Sequence, residues 1–173
     1  MQDEVSKMGK GMFIAAWVVI FGLLIMYFSG MLDSQYNPNQ NPTTVVSGNS
    51  AEVTLKANRY GHYVSNGTIN GKEVTFLLDT GATSVTVGSH LADELGLVPG
   101  QRFQAQTANG TVTVARTVIS ELSLGDITLR NVEAAINPGM PQDEILLGMS
   151  ALRYLELTQR ADSLIIRADN SSF

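Results

Sequence analysis

Asp79 is the one aspartate in a setting suited to catalysis. It follows an apolar run and directly precedes Thr80 and Gly81. Glycine has no Cβ, so backbone can pack beside the carboxylate and donate hydrogen bonds to it, and Thr80 adds a hydroxyl group able to bond neighbouring backbone. If two such loops met, their carboxylates would share one proton, because like charges about 3 Å apart cannot both ionise. Such a pair could activate a water molecule for attack on a carbonyl carbon and protonate the leaving group. Asp-Thr-Gly occurs once in the sequence, so this chemistry would need two copies of the chain.

Other catalytic groups are disfavoured by their surroundings. His62 and His90 have no second histidine or cysteine at the spacing of zinc ligands, so neither a metal nor another cofactor is expected. Ser84 and Ser150 lack the Gly-x-Ser-x-Gly setting of a serine nucleophile, and the absence of cysteine excludes thiol chemistry and disulfides. A formal net charge of -5 with mixed signs does not predict nucleic acid as a partner.

Residues 11–32 form an apolar segment without a charged side chain. A bilayer core requires about 20 predominantly apolar residues as helix, so this segment predicts one transmembrane helix. A cleaved signal peptide is the alternative, but its apolar region usually spans about 7–15 residues, and no clear cleavage site follows here. Lys7 and Lys10 precede the segment and Asp33 follows it, so the positive-inside tendency keeps residues 1–10 in the cytoplasm. The rest of the chain is then expected beyond a bacterial inner membrane, in the periplasm.

The residues after this segment change in composition twice. Residues 33–51 are rich in Asn, Pro, Ser and Gln, which predicts a polar, flexible linker. Residues 52–173 contain short β-like runs separated by turn residues, which predicts a small all-β barrel or sandwich. A hairpin at 63–78, closed by Asn70-Gly71, leads directly into Asp79. The remaining predicted elements are strands at 84–87, 103–107, 111–120, 122–124, 127–136, 155–158 and 163–167, and short helices at 90–95 and 149–154.

The run 76–82 resembles the catalytic loop of the retropepsin-like aspartic proteases, in particular of bacterial membrane-anchored members with an Asp-Thr-Gly-Ala loop. The resemblance covers most of residues 52–167 and implies a small closed β-barrel of the retropepsin type with one or two short helices. It also implies that Asp79 is the acid/base residue and that the loop is supported by Thr80, Gly81 and Ala82.

The run 145–148 resembles a second landmark of that family, which is an aliphatic run ending in glycine. By this resemblance, Leu147 and Gly148 are expected to pack beneath the catalytic loop and to precede a short helix. Met149 stands where viral members carry an arginine, so the ion pair that this arginine makes at the viral dimer interface is not expected here.

The run 107–111 lies between two strand-like segments and resembles the flap, a hairpin that closes over substrate in this family. The resemblance implies that Ala108, Asn109 and Gly110 cover the substrate. This tip departs from the glycine-rich viral form, so the viral flap conformation is not carried over.

These features lead us to expect a membrane-anchored aspartic endopeptidase that hydrolyses polypeptide substrates as a homodimer, with Asp79 from each subunit in one shared active site. Strands near 155–167 are the candidate dimer interface. An alternative is a non-enzymatic, monomeric module of the same fold that binds a peptide or an envelope partner in its groove. A third interpretation, in which Asp79 is only a turn residue after a buried strand, is disfavoured by the flanking pattern and by the ordered landmarks downstream.

Overall fold

The computed structural model describes residues 2–48, 50–107 and 110–169. The chain divides between Tyr36 and Asn37 into two compact units. The first unit is one helix, α1 (Gln2–Tyr36). Its segment Gly11–Tyr36 is long and apolar enough to cross a membrane, and its side chains are exposed on all sides. A helix that is apolar all round is stable in lipid and costly in water, so α1 fits a single-pass membrane anchor.

The second unit consists of short strands joined by turns. In chain order its described elements are β1 (Thr44–Ser47), β2 (Ser50–Lys56), β3 (Val64–Ile69), β4 (Lys72–Leu78), β5 (Val85–Gly88), β6 (Arg102–Thr107), β7 (Gly110–Leu124), β8 (Ile127–Asn137), β9 (Ile145–Leu147), α2 (Met149–Leu152), β10 (Glu156–Arg160) and β11 (Ser163–Asp169). The all-β prediction for this part of the chain is therefore confirmed.

Six of these strands close into a barrel in the order β3-β4-β9-β5-β8-β7, with β7 pairing again with β3. The closing contacts place Thr68 opposite Ser123 and Ile69 opposite Leu122. Strand β6 pairs with the first part of β7, so the β6–β7 hairpin extends the sheet beyond the closed barrel. The closed barrel predicted by the resemblance is thus present, and its interior is filled by fully buried apolar side chains that include Ile69, Phe76, Ile119, Leu122, Leu129, Ile145 and Leu147.

The predicted β3–β4 hairpin is confirmed. Ile69 pairs with Lys72 across the turn, and Asn70 and Gly71 have φ angles of 50° and 78°. Positive φ at both central residues defines a type I′ turn, whose twist matches that of the flanking strands. Strand β4 then ends at Leu78, directly before Asp79.

A second sheet has the strand order β1-β2-β11-β10. Strand β11 pairs along its length with β2 on one side and with β10 on the other. On this sheet the Arg167 Nη2 atom donates to Glu52 Oε2 at 2.7 Å, and the Arg167 Nη1 atom lies 3.8 Å from Glu156 Oε2. The hydrogen bond and charge of Glu52, together with the charge of Glu156, raise the pKa of Arg167 above its usual value. One guanidinium thus links three strands.

The structure differs from the predicted linker between residues 37 and 51. This stretch contains β1 and the beginning of β2, and Asn37 and Asn39 are each only 7% exposed. Their amides are hydrogen-bonded to other parts of the unit, so a polar composition coexists with a folded segment. The folded unit therefore begins directly after α1.

The helix predicted at 90–95 is also different in the structure, which has consecutive turns there. The N–H groups of Leu91, Ala92 and Gly96 bond to carbonyls three residues earlier, and only that of Leu95 bonds four residues earlier. A segment this short depends on its tertiary contacts for a regular helix, because nucleation is costly. The second predicted helix, at 149–154, is present as the shorter α2.

We expect Asn39→Ala to destabilise the folded unit. The Asn39 Nδ2 group donates to Val64 O at 2.7 Å and to Lys56 O at 2.9 Å, and Asn39 Oδ1 accepts from Lys56 N at 2.7 Å. Truncation leaves these backbone groups without partners, which should lower the free energy of unfolding by about 2–4 kcal/mol. Guanidinium denaturation of the detergent-solubilised chain measures this loss. The exposed neighbour in Gln40→Ala is the control, and equal stabilities of the two variants would contradict the expectation.

Candidate active site

Asp79 lies in the loop that joins β4 to β5, and strand β9 lies between these two strands in the barrel. Strand β9 runs parallel to β4, with Leu78 opposite Leu147, and it meets β5 where Leu146 lies opposite Thr86. The Asp79 N–H group donates to Leu147 O at 3.2 Å. The loop therefore passes over the end of β9, and Asp79 is fixed at that crossing.

The loop folds back on the Asp79 carboxylate. The Gly81 N–H group donates to Asp79 Oδ1 at 2.9 Å, and the Ala82 N–H group donates to Asp79 O at 3.1 Å. A Cβ atom at Gly81 would lie 3.1 Å from Asp79 Oδ1, tighter than an ordinary contact. Glycine thus permits the close backbone approach that its position suggested. Asp79 is half-buried, whereas Thr80 is exposed, and the Thr80 hydroxyl has no hydrogen-bond partner within the described ranges.

Gly148 packs directly beneath this loop. A Cβ atom at Gly148 would lie 2.4 Å from Ser84 O and 2.7 Å from Ala82 O, so no larger residue fits without moving backbone. The next two N–H groups, of Met149 and Ser150, donate to Ala82 O at 2.8 Å and to Thr83 O at 3.0 Å. Gly148 thus lies against the carbonyl groups of this loop, and the preceding Leu147 is fully buried.

Ser150 is a residue whose contribution the sequence did not reveal. It is 6% exposed; its Oγ atom donates to Glu133 O at 2.6 Å and accepts from Val85 N at 2.9 Å. One hydroxyl group thereby joins α2, β8 and β5 beneath the Asp79 loop. The local sequence excluded a nucleophilic serine but carried no signal for this role, because both partners are backbone groups of distant strands.

Asp79 opens onto a cleft of about 1710 Å³. Its lining includes Asp79, Gly81 and Ala82 on one side and the β6–β7 hairpin, from Phe103 to Thr107 and from Gly110 to Val112, on another. The volume exceeds the roughly 300–1,000 Å³ of a typical small-molecule pocket. The cleft is therefore large enough for an extended chain of several residues.

At the end of the β6–β7 hairpin, Thr107 pairs with Gly110. Gly110 has a φ angle of 109°, a conformation that side-chain-bearing residues rarely adopt, and Thr107 Oγ1 donates to Gly110 O at 2.7 Å. Gly110 lines the same cleft as Asp79. The other two predicted cover residues, Ala108 and Asn109, lie outside the described residues.

Neither histidine belongs to a metal-binding cluster among the residues that the structure describes. Over the described ranges no group of three or more His, Asp or Glu side chains could hold a metal ion. His90 Nε2 lies 3.0 Å from Asp143 Oδ1 on the surface, and His62 is exposed in the β2–β3 loop. Asp143 is thus a solvated side chain that pairs with a surface histidine.

Comparisons with known proteins agree with this geometry. Residues 65–154 match the family model described as "gag-polyprotein putative aspartyl protease". The chain is 32% identical to an uncharacterized protein from the cobV 5′ region of Sinorhizobium sp, over 93% of this chain and 75% of that protein. It is 24% identical to the uncharacterized protein RP867 of Rickettsia prowazekii, over 80% of this chain and 63% of that protein.

The fold is shared with a solved structure. A retropepsin-like aspartic protease from Rickettsia conorii superposes with a TM-score of 0.57 at 24% identity, covering 74% of this chain and 94% of that one. At this level of identity the similarity shows a shared fold, and the chemistry has to be argued from the residues of this chain.

We expect Ser150→Ala to destabilise the loop support. Removing the Oγ atom leaves the buried Val85 N–H group without its acceptor, which should lower the free energy of unfolding by about 1–3 kcal/mol. Chemical denaturation of the detergent-solubilised chain checks this value. The matched control is Ser89→Ala, because Ser89 is exposed in a turn. A loss no larger than that of the control would show that the three-element junction is not stabilising.

Proposed function

Because this chain belongs to the retropepsin-like aspartic protease family, we propose that it is a membrane-anchored aspartic endopeptidase whose active site forms from two copies of the chain. The observation that carries the proposal is the position of Asp79. Its carboxylate is held by the Gly81 N–H group at the wall of a cleft large enough for a polypeptide. Each chain supplies one such carboxylate, and the chemistry requires two.

The proposed reaction uses Asp79 and the partner's Asp79 as one proton-sharing pair. The ionised carboxylate takes a proton from a water molecule held between the two groups, while the protonated one donates to the carbonyl oxygen of the substrate. The resulting tetrahedral intermediate then collapses, the leaving nitrogen receives a proton, and the C–N bond breaks. The Gly81 N–H group orients the carboxylate during these steps, and the β6–β7 hairpin covers the substrate through Ala108, Asn109 and Gly110.

The proposed location follows from the anchor. Helix α1 spans the membrane, with the basic Lys7 and Lys10 on the cytoplasmic side. The barrel then lies on the opposite side, in the periplasm of a Gram-negative bacterium. The substrate is accordingly a polypeptide that reaches the outer surface of the inner membrane.

The sheet order supports β10 as the strand that forms the proposed dimer interface. Strand β11 is paired on both sides, whereas β10 is the last described strand of its sheet and has a free edge. Antiparallel pairing of β10 with the partner's β10 about Thr158 places Glu156 opposite Arg160 twice, once on each side of the two-fold axis. Arg160 has no acidic partner within the described ranges of its own chain, so this register supplies one. Opposite-charge pairs directly across a sheet typically contribute about 0.2–1 kcal/mol each.

Exposed apolar side chains between the Asp79 loop and β10 also favour the proposed dimer contact. Met149, which follows Gly148, is 37% exposed, and Tyr154 is 50% exposed. The Arg153 guanidinium lies 4.9 Å from the centre of the Tyr154 ring, and its Nη2 atom donates to the Tyr154 hydroxyl at 2.9 Å. Exposed apolar and aromatic side chains next to an unpaired strand edge favour protein–protein contact.

A second candidate function is a monomeric peptide-binding module of the same fold. One observation favours it: all four strands of the sheet β1-β2-β11-β10 come from one chain, so this sheet forms without strands from a partner. Such a module would hold an extended peptide in the cleft without cleaving it.

We expect Asp79→Asn to abolish peptide hydrolysis while leaving the fold intact, because the amide has the shape of the carboxylate but cannot take a proton from water. The loss should be at least about 10³-fold, in the range of general acid–base catalysis. Cleavage of a peptide library by the full-length chain in proteoliposomes, analysed by mass spectrometry, measures it. Asp93→Asn, at an exposed position outside the cleft, is the control. Unchanged hydrolysis by Asp79→Asn would eliminate the carboxylate pair, and absence of hydrolysis by the unaltered chain would favour the binding module.

We expect Arg160→Glu to weaken the dimer, because it places like charges opposite Glu156 at two symmetric positions. The dissociation constant should rise by roughly 10- to 100-fold, and addition of Glu156→Arg should restore part of the affinity. Mass photometry in detergent and the loss of activity on dilution both report the change. Arg130→Glu is the matched control, since Arg130 is 72% exposed on β8. An unchanged dissociation constant in Arg160→Glu would remove β10 from the interface while leaving the peptidase proposal intact.

A further inference from the structure

The residues directly after α1 are fixed to the barrel unit by a dense set of hydrogen bonds. Asn39 bonds through its side chain to Lys56 and Val64, and its carbonyl accepts from Asn66 N and Ser65 Oγ, each at 3.1 Å. Asn37 Nδ2 donates to Asn66 Oδ1 at 2.7 Å, and Asn37 Oδ1 accepts from Asn39 N at 3.0 Å. We call residues 37–39 the clamp, because these bonds fix them to the barrel unit and no flexible linker lies between α1 and the clamp.

The clamp limits how far part of the barrel unit can be from the end of the helix. Tyr36 is the last residue of α1, and Asn39 follows three residues later. Three residues span at most about 11 Å, whatever the direction of the helix relative to the barrel. The segment 33–36 adds about 6 Å of helix beyond the apolar residues. The attachment point at Asn39 is therefore confined to a thin layer next to the membrane surface in any orientation.

The β2–β3 loop, residues 57–63, begins and ends at this attachment point. Asn39 bonds to Lys56, the last residue of β2, and to Val64, the first residue of β3. Within the loop, the buried Asn58 accepts from Tyr60 N at 2.9 Å and from His62 N at 3.0 Å through its Oδ1 atom. The Asn58 N–H group donates in turn to His62 O at 2.8 Å. The loop is thus a preformed structure whose outer side chains have a defined direction.

The side chains on this loop differ in charge from the rest of the protein. The formal net charge of the chain is -5, yet the sequence from Val53 to Lys72 contains no Asp or Glu. Lys56 and Arg59 lie in or beside the loop, and the Arg59 guanidinium lies 4.6 Å from the centre of the Tyr60 ring. Tyr60 is 58% exposed, and its ring centre is 6.5 Å from that of His62.

Two neighbouring segments, the β10–β11 turn and the end of β4, bring carboxylates close to the loop. Ala57 N donates to Asp162 O at 2.7 Å, and Leu78 N, next to Asp79 in the chain, donates to Tyr63 O at 3.0 Å, so Asp162 and Asp79 adjoin the two ends of the loop. The loop itself carries basic and aromatic side chains and no carboxylate, the combination that favours the headgroup layer of a membrane.

We propose that the loop 57–63, here called the basic loop, binds anionic lipid headgroups on the membrane surface beside α1. The proposal rests on the proposed membrane anchoring by α1 and is independent of peptide hydrolysis. Arg59 and Lys56 bind the phosphate groups, and Tyr60, whose hydroxyl accepts a hydrogen bond from Arg59 Nη2, lies at the level of the headgroups. The basic loop gives the barrel a second attachment point and fixes which of its faces is turned to the lipid.

The absence of cysteine makes a direct test possible, since each single-cysteine variant carries one spin label and no background. His62→Cys reports on the basic loop, Ile20→Cys on the anchor, and Val98→Cys, at a residue 78% exposed, on a solvated reference surface. The full-length chain is reconstituted in vesicles of phosphatidylcholine alone or mixed with phosphatidylglycerol. Collision rates of the label with oxygen, which concentrates in lipid, and with a water-soluble nickel chelate are then compared by electron paramagnetic resonance.

In anionic vesicles the label at position 62 should collide more with oxygen and less with nickel than the label at position 98. The difference should shrink in phosphatidylcholine alone and in about 1 M salt, where the Debye length is only about 3 Å. Arg59→Glu should lower the ratio of docked to free loop about thirtyfold, since each basic group near an anionic surface contributes about fivefold and the substitution adds a repulsion of similar size. Arg102→Glu makes the same change in net charge on β6 and should have no effect.

Two results would overturn the proposal, and they differ in what else they affect. If the label at position 20 is in lipid but the labels at positions 62 and 98 behave alike in anionic vesicles, the basic loop does not bind headgroups and the anchor stands. If the label at position 20 collides freely with nickel, α1 is not inserted, and both the anchor and the headgroup contact fail. Neither result bears on Asp79, whose hydrolytic role is measured separately by peptide cleavage.

Discussion

The contact between Gly148 and the carbonyl groups of Ala82 and Ser84 determines where Asp79 can lie. Strand β9 occupies the space between β4 and β5, so the loop that joins those two strands must cross the end of β9. Gly148 is at that crossing, and a Cβ atom there would lie 2.4 Å from the Ser84 carbonyl oxygen. A side chain would push the loop outward and carry the Asp79 carboxylate away from the cleft. The position of the carboxylate thus depends on a residue far downstream in the chain.

How much the sequence predicts depends on whether the determining chemistry is local. The Asn70-Gly71 turn was predictable because the φ angles that it needs are a property of those two residues. The role of Ser150 was not, because its partners are the backbone groups of Val85 and Glu133, which only the tertiary fold brings close. Patterns within a few residues therefore predicted the strands, the turn and the Asp79 loop, while the junction that Ser150 makes between distant strands needed the structure.

In the segment 37–51, the local sequence pattern predicted less structure than the fold contains. Its composition is that of a linker, since Asn, Pro and Ser usually remain solvated when no partners are near. In the fold, however, Asn39 reaches the free backbone groups at the junction of β2 and β3, and its amide has both the donors and the acceptor that they need. A hydrogen-bonding side chain is as effective as an apolar one at fixing a segment, provided that its partners are already held by strands.

The clamp also restricts how two copies of the chain can meet. Both copies must leave the same bilayer on the same side, so a two-fold axis that relates them runs along the membrane normal. Because Asn39 follows Tyr36 by only three residues, each Asn39 of the proposed dimer lies within about 11 Å of the end of its own helix. Strand β10 has five residues, and an edge contact of that size is weak between molecules that are free in solution. Confinement to a plane raises the effective concentration of each copy for the other and removes most of the orientations that cannot pair. In the proposed dimer, anchoring therefore favours a short, charge-complementary edge contact that would be weak in solution.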